Sequence, residues 1–307
     1  MVSIAYLPPI RQVIALKVSV LGGGFGIYGY LPAACSLGWK VTTLSRYRQA
    51  ILERPELSPY LESVRFVESE SDLYGFGSAL VFARTPTLQF DYIFSQLNLT
   101  NQISHYYLEK PLADSNTKAQ LALEQLSKSR KSFSVGYLFQ YTNWFMDLES
   151  ICANQGNRIV FNWRIPATHS DWKNSHVTGG GLYGFFLVHF VPILTRLGFS
   201  ISDLKTSYKN EKCTLKVEGT NYIEINAQIV TENFNFELLI NNKFEPLFQA
   251  QTPFGFKPQK GIPDPRIPTL KKYLVGALDG SISSDSRLKT ERDVIDFLNL
   301  CVEKDLI

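Results

Sequence analysis

The fold of this chain is decided by residues 13–29, which run VIALKVSVLGGGFGIYG. A short segment rich in Val, Ile and Leu that ends at glycines predicts a buried strand over residues 13–21. The residues that follow predict a helix over 28–37, closed by Gly38. A glycine turn between a strand and a helix lets backbone N–H groups approach a pyrophosphate, so this segment predicts a dinucleotide-binding βαβ unit.

Two registers of the motif G-x-G-x-x-G fit the glycine turn. Gly24, Gly26 and Gly29 spell the motif in full. Gly22 and Gly24 lie nearer the end of the strand and fit the first two places equally well, with Ile27 in the third. The sequence leaves the register open, and a plain turn without a ligand is the alternative to both. The residues expected at the cofactor are Gly22, Gly24, Phe25 and Gly26.

The residues after the second predicted strand bear on the choice of cofactor. This strand covers residues 40–44 and is followed by Ser45-Arg46. An acidic residue at this point binds the ribose 2′-hydroxyl of NAD in many dinucleotide-binding domains. A hydroxyl and a guanidinium instead suit the 2′-phosphate of NADP, which arginine binds through two parallel N–H groups. Ser45 and Arg46 therefore favour NADP over NAD, unless both are ordinary polar loop residues.

Strands and helices alternate through the first 138 residues, which predicts a parallel sheet. Beyond them, three segments alternate apolar and polar side chains, as in a sheet with one covered face and one wetter face. These segments are 213–218, 222–230 and 233–241. We therefore expect an α/β Rossmann domain with a parallel sheet over residues 1–138. An α+β substrate domain with an open-faced, largely antiparallel sheet is expected over 139–307.

Several further elements complete the predicted order. The remaining strands of the first domain are expected at 79–83, 104–108 and 132–137, with a helix over 116–126. In the second domain, helices are expected over 182–197, 269–278 and 290–303. The wetter face of the second sheet could serve a homodimer, although its polar side chains fit solvent equally well.

Composition excludes several classes of function. The 307 residues are 45% hydrophobic and carry a net charge of +3, with no dense stripe of Lys and Arg, so a nucleic-acid surface is not expected. No segment approaches the roughly 20 apolar residues of a membrane span. Four scattered cysteines form no C-x-x-C pair, which argues against a metal site and fits a reducing cytoplasm. Pro8, Pro9, Arg11 and Lys17 interrupt the apolar N-terminal segment, so we do not expect a signal peptide.

Five short segments, in order, resemble the Gfo/Idh/MocA oxidoreductase family. They are the glycine turn with Leu31-Pro32-Ala33 after it, Thr85-Pro86, Glu109-Lys110-Pro111, Asp171-Trp172-Lys173, and Gly179-Gly180-Gly181 followed by His189. The resemblance implies hydride transfer between a nicotinamide and a carbonyl or carbinol carbon, usually of a sugar or polyol. It implies Lys110 and His189 as catalytic residues. It further implies cofactor contacts at Thr85, Pro86, Glu109 and Lys110, and substrate contacts at Lys110, Trp172, Lys173 and His189.

The chain also departs from the pattern of this family. Phe185 stands where the family commonly has an Asp paired with the histidine, and Gln89 replaces the histidine after the Thr-Pro turn. A phenylalanine cannot orient an imidazole or stabilise an imidazolium. Three functions are therefore open: an NAD(P)-dependent oxidoreductase acting on a sugar, sugar nucleotide or related small molecule; a non-catalytic nicotinamide-binding sensor or partner protein; and a glycoside-cleaving relative that stores the hydride transiently.

Overall fold

Two six-stranded sheets organise the protein, as the computed structural model shows. The first sheet has the strand order β3-β2-β1-β4-β5-β6 and is parallel throughout. The second has the order β12-β11-β7-β10-β9-β8. The predicted fold class is confirmed. The residues that the structure describes are 16–98, 100–129, 131–166, 173, 175, 178–209, 212–230, 235–241, 243–244, 259–278 and 283–303.

The first sheet is built from short, almost wholly apolar strands, which is typical of a parallel sheet covered on both faces. Its strands are β1 (Lys17–Leu21), β2 (Lys40–Leu44), β3 (Val64–Val67), β4 (Ala79–Phe82), β5 (His105–Leu108) and β6 (Ser132–Val135). The helices between and after them are α1 (Leu31–Ser36), α2 (Arg48–Leu52), α3 (Glu70–Tyr74), α4 (Pro86–Ser95), α5 (Asn116–Lys128) and α6 (Asn143–Cys152). Shorter helical turns cover Ser45–Tyr47, Pro55–Ser63 and Leu138–Tyr141.

The helix predicted over 28–37 is wrong in its start and in the type of its first turn. The chain enters a wide π-helical turn at Gly26–Tyr30 and becomes α-helical only at α1. Gly29 allows this because the ring of Phe25 occupies the space that a side chain at position 29 would need. The helical segment therefore begins within the glycine turn itself, at Gly26.

The second sheet is mostly antiparallel, with one parallel pair at its centre, between β7 and β10. Its strands are β7 (Arg158–Pro166), β8 (Lys205–Lys209), β9 (Lys212–Glu218), β10 (Tyr222–Val230), β11 (Asn235–Ile240) and β12 (Lys243–Phe244). One face packs into the main core through residues such as Ile223, Ile225 and Phe161. On the other face, Asn226 accepts a hydrogen bond from Thr214 and donates to Asn162, so the polar side chains form an ordered network.

The helix predicted over 182–197 is wrong as a single helix. It is three consecutive pieces: a π-turn at Leu182–Phe186, a 3₁₀ turn at Leu187–Phe190, and α7 (Val191–Arg196). Pro192 lies at the start of α7, where its missing N–H is tolerated. Gly184 lies against the carbonyl of Gly179, which leaves no room for a side chain. A short turn at Ile201–Asp203 follows.

The C-terminal helices are α8 (Ile267–Gly276) and α9 (Ser284–Glu303). Helix α8 packs on the first sheet, because Leu270, Tyr273 and Leu274 share a hydrophobic cluster with β1 and α1. The hydroxyl of Tyr273 donates to the carbonyl of Ser134, at 2.9 Å. The predicted boundary between residues 138 and 139 stays a prediction, with α8 returning to the first domain. None of the helices in the described part of the chain is long and apolar enough to cross a membrane.

Candidate active site

A cavity of about 290 Å³ lies at the carboxyl ends of β1, β4, β5 and β6. This edge of an open parallel sheet, where the strand order reverses, is the usual place for a ligand in such folds. Helical segments from the second domain close the other side. The lining residues are Gly24, Phe25, Tyr28, Ala83, Arg84, Thr85, Glu109, Lys110, Gly136, Leu138, Trp163, Lys173, Phe185, Phe186, His189 and Arg266.

The glycine turn has room for a ligand at one position in particular. A side chain at Gly22 would overlap the carbonyl oxygen of Ala83, and Gly22 has a φ of 152°. At Gly24, in contrast, an added Cβ would meet no atom within 4 Å. Gly24 lines the cavity, so this open space is available to a ligand. The geometry therefore favours the register with Gly22 and Gly24 in the first two places and the buried Ile27 in the third.

The loop Glu109-Lys110-Pro111 follows β5, and the fully buried side chain of Gln89 holds it in place. The Oε1 atom of Gln89 accepts from the backbone N–H of Glu109 at 2.8 Å. Its Nε2 atom donates to the carbonyls of Glu109 at 2.7 Å and Leu112 at 3.0 Å. Gln89 reaches the loop because α4 begins at Pro86, directly after β4. Thr85 and Pro86 thus position Gln89, and Thr85 also lines the cavity.

The carboxylate of Glu109 is hydrogen-bonded to Tyr30. The Tyr30 hydroxyl donates to Oε1 of Glu109 at 2.6 Å. Gly136 borders this pair, since a Cβ there would lie 2.9 Å from the Tyr30 hydroxyl. Burial raises the pKa of Glu109, while the bond from Tyr30 and the charge of Lys110 oppose that rise. The hydrogen bond from Tyr30 therefore fixes the side chain of Glu109, directly before Lys110 in the loop.

The side chain of Lys110 is buried, and its ammonium group lies against Phe185. Nζ donates to the carbonyl oxygen of Phe185 and lies 3.3 Å from the centre of its ring. Burial lowers the pKa of Lys110 well below its ordinary value of 10.5, and the charge of Glu109 only partly offsets this effect. A lowered pKa makes the ammonium of Lys110 a stronger proton donor than that of an ordinary lysine, which suits a general acid.

His189 is also buried, and it lies in the same cavity as Lys110. Its ring stacks on Phe139 with centres 4.6 Å apart and meets the edge of Tyr137. Burial lowers the pKa of His189 well below 6.5, and the positive charges of Lys110 and Arg266 lower it further. All three effects favour the neutral imidazole.

The remaining predicted substrate residues are Trp172 and Lys173. Lys173 lines the cavity, with Nζ 5.0 Å from the centre of the Phe185 ring. Burial lowers the pKa of Lys173, with a second contribution from the charge of Arg266. Trp172 and Asp171 lie outside the described residues.

Ser45 and Arg46 lie at the end of β2, outside the set of residues that line the cavity. The guanidinium of Arg46 is half exposed and forms a 2.8 Å ion pair with Glu70. Arg84, which lines the cavity, lies 3.5 Å from the same carboxylate. The Tyr74 hydroxyl donates to its other oxygen at 2.9 Å. A phosphate at this position would have to compete with Glu70 for Arg46.

Sequence reasoning missed Arg266, which enters the cavity from the segment before α8. Asp264 accepts two hydrogen bonds from it, from Nε at 2.9 Å and from Nη2 at 2.6 Å. The guanidinium also lies 4.0 Å from the centre of the Phe25 ring. No local motif marks this residue, because it reaches the site only when the chain returns to the first domain.

The architecture resembles that of several solved structures. A myo-inositol dehydrogenase from Corynebacterium glutamicum superposes with a TM-score of 0.65 at 14% identity, covering 94% of this chain and 96% of that chain. A Gfo/Idh/MocA family oxidoreductase from Vibrio cholerae gives 0.68 at 11% identity, covering 95% and 99%. The WlbA dehydrogenase from Thermus thermophilus, in complex with NAD and UDP-GlcNAcA, gives 0.61 at 13% identity, covering 91% and 92%.

The chain has the Gfo/Idh/MocA oxidoreductase fold. No protein-family model and no curated protein sequence matches it. Gln89 and Phe185, the two departures from the sequence pattern of that family, both have structural roles in this fold. Gln89 fastens the Glu-Lys-Pro loop, and the ring of Phe185 packs against both cavity lysines.

Proposed function

We propose that the protein is an NAD(P)-dependent oxidoreductase acting on CH–OH or C=O groups of a sugar, a sugar nucleotide or a related small molecule. The observation that carries this proposal is the convergence of Gly24, Lys110 and His189 on one cavity at the carboxyl edge of the parallel sheet. The overall fold supports it, since proteins of similar structure are dehydrogenases. The structure of the WlbA dehydrogenase is a complex with NAD.

The residues present fit a nicotinamide dinucleotide. Gly24 leaves open space beside the first helical turn, where a pyrophosphate would be held. Thr85 and Glu109 would hold the nicotinamide end, beside Lys110. When bound, the nicotinamide would supply or accept a hydride at the reacting carbon.

Reduction of a carbonyl places negative charge on its oxygen, and oxidation of an alcohol requires removal of its proton. We assign this work to Lys110, because its ammonium lines the cavity and burial lowers its pKa toward the working range. Gln89 and Glu109 hold the loop that carries Lys110. Burial favours the neutral imidazole of His189, which would hydrogen-bond the substrate while Lys110 transfers the proton.

For the cofactor, we propose a modest preference for NADP over NAD, resting on Ser45 and Arg46. The ion pair between Arg46 and Glu70 limits this preference, because the 2′-phosphate must displace or share a carboxylate. We also propose a cytoplasmic location, supported by four cysteines that are free thiols. We further propose that the protein forms a homodimer through the open face of the second sheet.

The catalytic assignment is tested by comparing rates of Lys110→Ala, Lys110→Met and His189→Ala on a carbonyl substrate with NADPH. A general acid contributes about 10²–10⁴-fold, so both Lys110 variants should lose kcat by that factor with NADPH affinity intact. His189→Ala should lose only about tenfold, below that range. The half-exposed Lys118, which lies outside the cavity lining, supplies the control variant Lys118→Ala. An inactive His189→Ala beside nearly normal Lys110 variants would reverse the assignment.

A further inference from the structure

A buried tyrosine behind the glycine turn reaches the loop that carries Lys110. Tyr30 is the last residue of the π-helical turn that begins at Gly26, and its side chain is almost completely buried. Its hydroxyl donates to Oε1 of Glu109 at 2.6 Å, although the two residues lie 79 positions apart in the sequence. This charge-assisted bond joins the segment beside the glycine turn to the residue directly before Lys110.

The surroundings of Tyr30 hold its hydroxyl in one position. Its ring makes edge contacts with Phe25 and Tyr273, with ring centres 5.1 Å and 6.3 Å away. Gly136 leaves the space for the bond, because a Cβ there would lie 2.9 Å from the Tyr30 hydroxyl and 3.4 Å from Oε1 of Glu109. The hydroxyl therefore has a fixed place and a fixed acceptor.

The backbone of Glu109 is held separately from its side chain. Gln89 accepts from the N–H of Glu109 at 2.8 Å and donates to its carbonyl at 2.7 Å. Since Gln89 already fixes the course of the loop, the bond from Tyr30 acts mainly on the carboxyl group of Glu109. A hydroxyl that donates to a carboxyl group favours the charged form of that group.

The charge of Glu109 acts in turn on Lys110. Burial raises the pKa of Glu109, and the bond from Tyr30 and the charge of Lys110 oppose that rise. Burial lowers the pKa of Lys110, and the charge of Glu109 opposes that fall. A charged Glu109 therefore keeps Lys110 protonated to a higher pH than a neutral one would. The other titratable groups that face this pair are Tyr28, Lys173, His189, Arg266 and Tyr273.

We propose that Tyr30 is a positioning residue for Lys110: its hydroxyl holds the Glu109 carboxylate in the charged form, and this carboxylate keeps the lysine protonated for proton transfer. The inference rests on the proposed function, in which Lys110 donates a proton to the carbonyl oxygen of the substrate. A proton donor must still carry its proton at the pH of the reaction. Nζ gives up one proton in each reduction and regains it from water, whereas Tyr30 keeps its own proton throughout.

The first measurement follows the carboxyl group of Glu109 and needs no substrate. Carbon-13 NMR of the glutamate side chains, assigned with Glu109→Gln, gives the pH at which this carboxyl group titrates. In Tyr30→Phe that pH should rise, because the carboxylate loses the hydroxyl that favours its charged form. Tyr107→Phe is the matched control, since its equally buried hydroxyl donates to the carbonyl of Leu274 at 2.7 Å. An unchanged titration of Glu109 in Tyr30→Phe overturns the proposal.

The second measurement follows kcat/KM for carbonyl reduction by NADPH against pH. The rate should fall at high pH as Lys110 loses its proton, and in Tyr30→Phe this fall should begin at a lower pH. At the alkaline end the variant should be about tenfold slower than wild type, whereas at the acid end the two rates should agree.

A double variant shows whether Tyr30 acts through Glu109. Glu109→Gln removes the charge but keeps an oxygen that can accept from Tyr30, and it should move the alkaline fall at least as far as Tyr30→Phe does. Adding Tyr30→Phe to Glu109→Gln should then change the profile no further, because the charge on which Tyr30 acts is gone. Additive effects, or a rate lowered equally at every pH in Tyr30→Phe, would give Tyr30 a structural role only and overturn the proposal.

Failure of this inference and failure of the proposed function give different results. Carbonyl reduction by wild type, with the same Glu109 titration in Tyr30→Phe as in wild type, would leave the oxidoreductase standing and overturn the role of Tyr30. A raised Glu109 titration in Tyr30→Phe, without turnover of any carbonyl compound by wild type, would keep the effect of Tyr30 on Glu109 and remove the enzymatic function.

Discussion

The buried carboxyl of Glu291 on α9 makes the stability of this protein depend on pH. Its side chain is almost fully buried, and Oε2 accepts a hydrogen bond of 2.9 Å from the Tyr137 hydroxyl. Burial raises its pKa from 4.5 to about 8, against the opposing effect of the Tyr137 bond. Because the folded state holds the proton more tightly than the unfolded state does, the neutral carboxyl stabilises the fold at low pH. That stabilisation is complete below pH 4.5 and is lost as the pH rises toward 8.

The replacement Glu291→Gln removes this titration and keeps an oxygen that can accept from Tyr137. Each pH unit between the two pKa values changes the free energy of unfolding by about 1.4 kcal/mol. The free energy of unfolding of Glu291→Gln, relative to wild type, should therefore rise by about 3 kcal/mol between pH 5 and pH 7. Above pH 8 the folded wild type is ionised as well, and the difference should level off.

Urea unfolding of both proteins at pH 5, 6, 7 and 8, each point fitted for its own slope, measures this difference directly. Glu124→Gln, which changes an exposed acid on α5, is the matched control and should show no pH-dependent difference. A difference between Glu291→Gln and wild type that stays constant from pH 5 to pH 8 would refute the reasoning.

Three other predictions concern the cofactor and the assembly. Glu70→Gln should free Arg46 and tighten NADPH by about fivefold while leaving NADH unchanged, as an added charge-assisted bond would; equal changes in both dissociation constants would contradict it. Gly24→Val should abolish binding of both cofactors, because its side chain would occupy the space of the pyrophosphate. The melting temperature should not change, because an added Cβ meets no protein atom within 4 Å. Normal binding would show that the turn is only structural. A homodimer should be seen by light scattering at micromolar concentration, and a monomer there would contradict the open-face interface.

Much of the architecture followed from local patterns. Period-two alternation predicted β9, β10 and β11, because each strand covers the core with one face only. Glycines at a strand end predicted the nucleotide turn, because they leave backbone accessible. Lys110, Lys173 and His189, which the family resemblance named as site residues, line one cavity, and their roles stay predictions.

What could not be predicted depends on contacts between distant parts of the chain. The Arg266 and Asp264 pair reaches the glycine turn only through the packing of α8 on the first domain. The division of residues 182–197 into three helical pieces follows from the contact of Gly184 with Gly179 and from Pro192. The edge strand β8 carries a weak pattern, because its side chains are mostly exposed and need no apolar face.

The choice of cofactor also depends on a contact between residues that are distant in the sequence. Arg46 is the residue type expected at a 2′-phosphate, but its partner Glu70 lies 24 residues further along the chain. The sequence shows the arginine, whereas only the folded chain shows that a carboxylate already binds it. A charge that is already paired in the fold contributes less to a ligand than the same charge would alone.

Hydride transfer in this cavity can be followed by labelling the hydride itself. NADPH carrying deuterium at the transferable position is incubated with wild-type protein and a panel of sugar carbonyl compounds, and the products are analysed by mass spectrometry. We expect one deuterium on the new carbinol carbon, with at least a hundredfold slower transfer in Lys110→Met. Tight binding of NADPH without deuterium in any product would instead show a nicotinamide-binding protein without turnover.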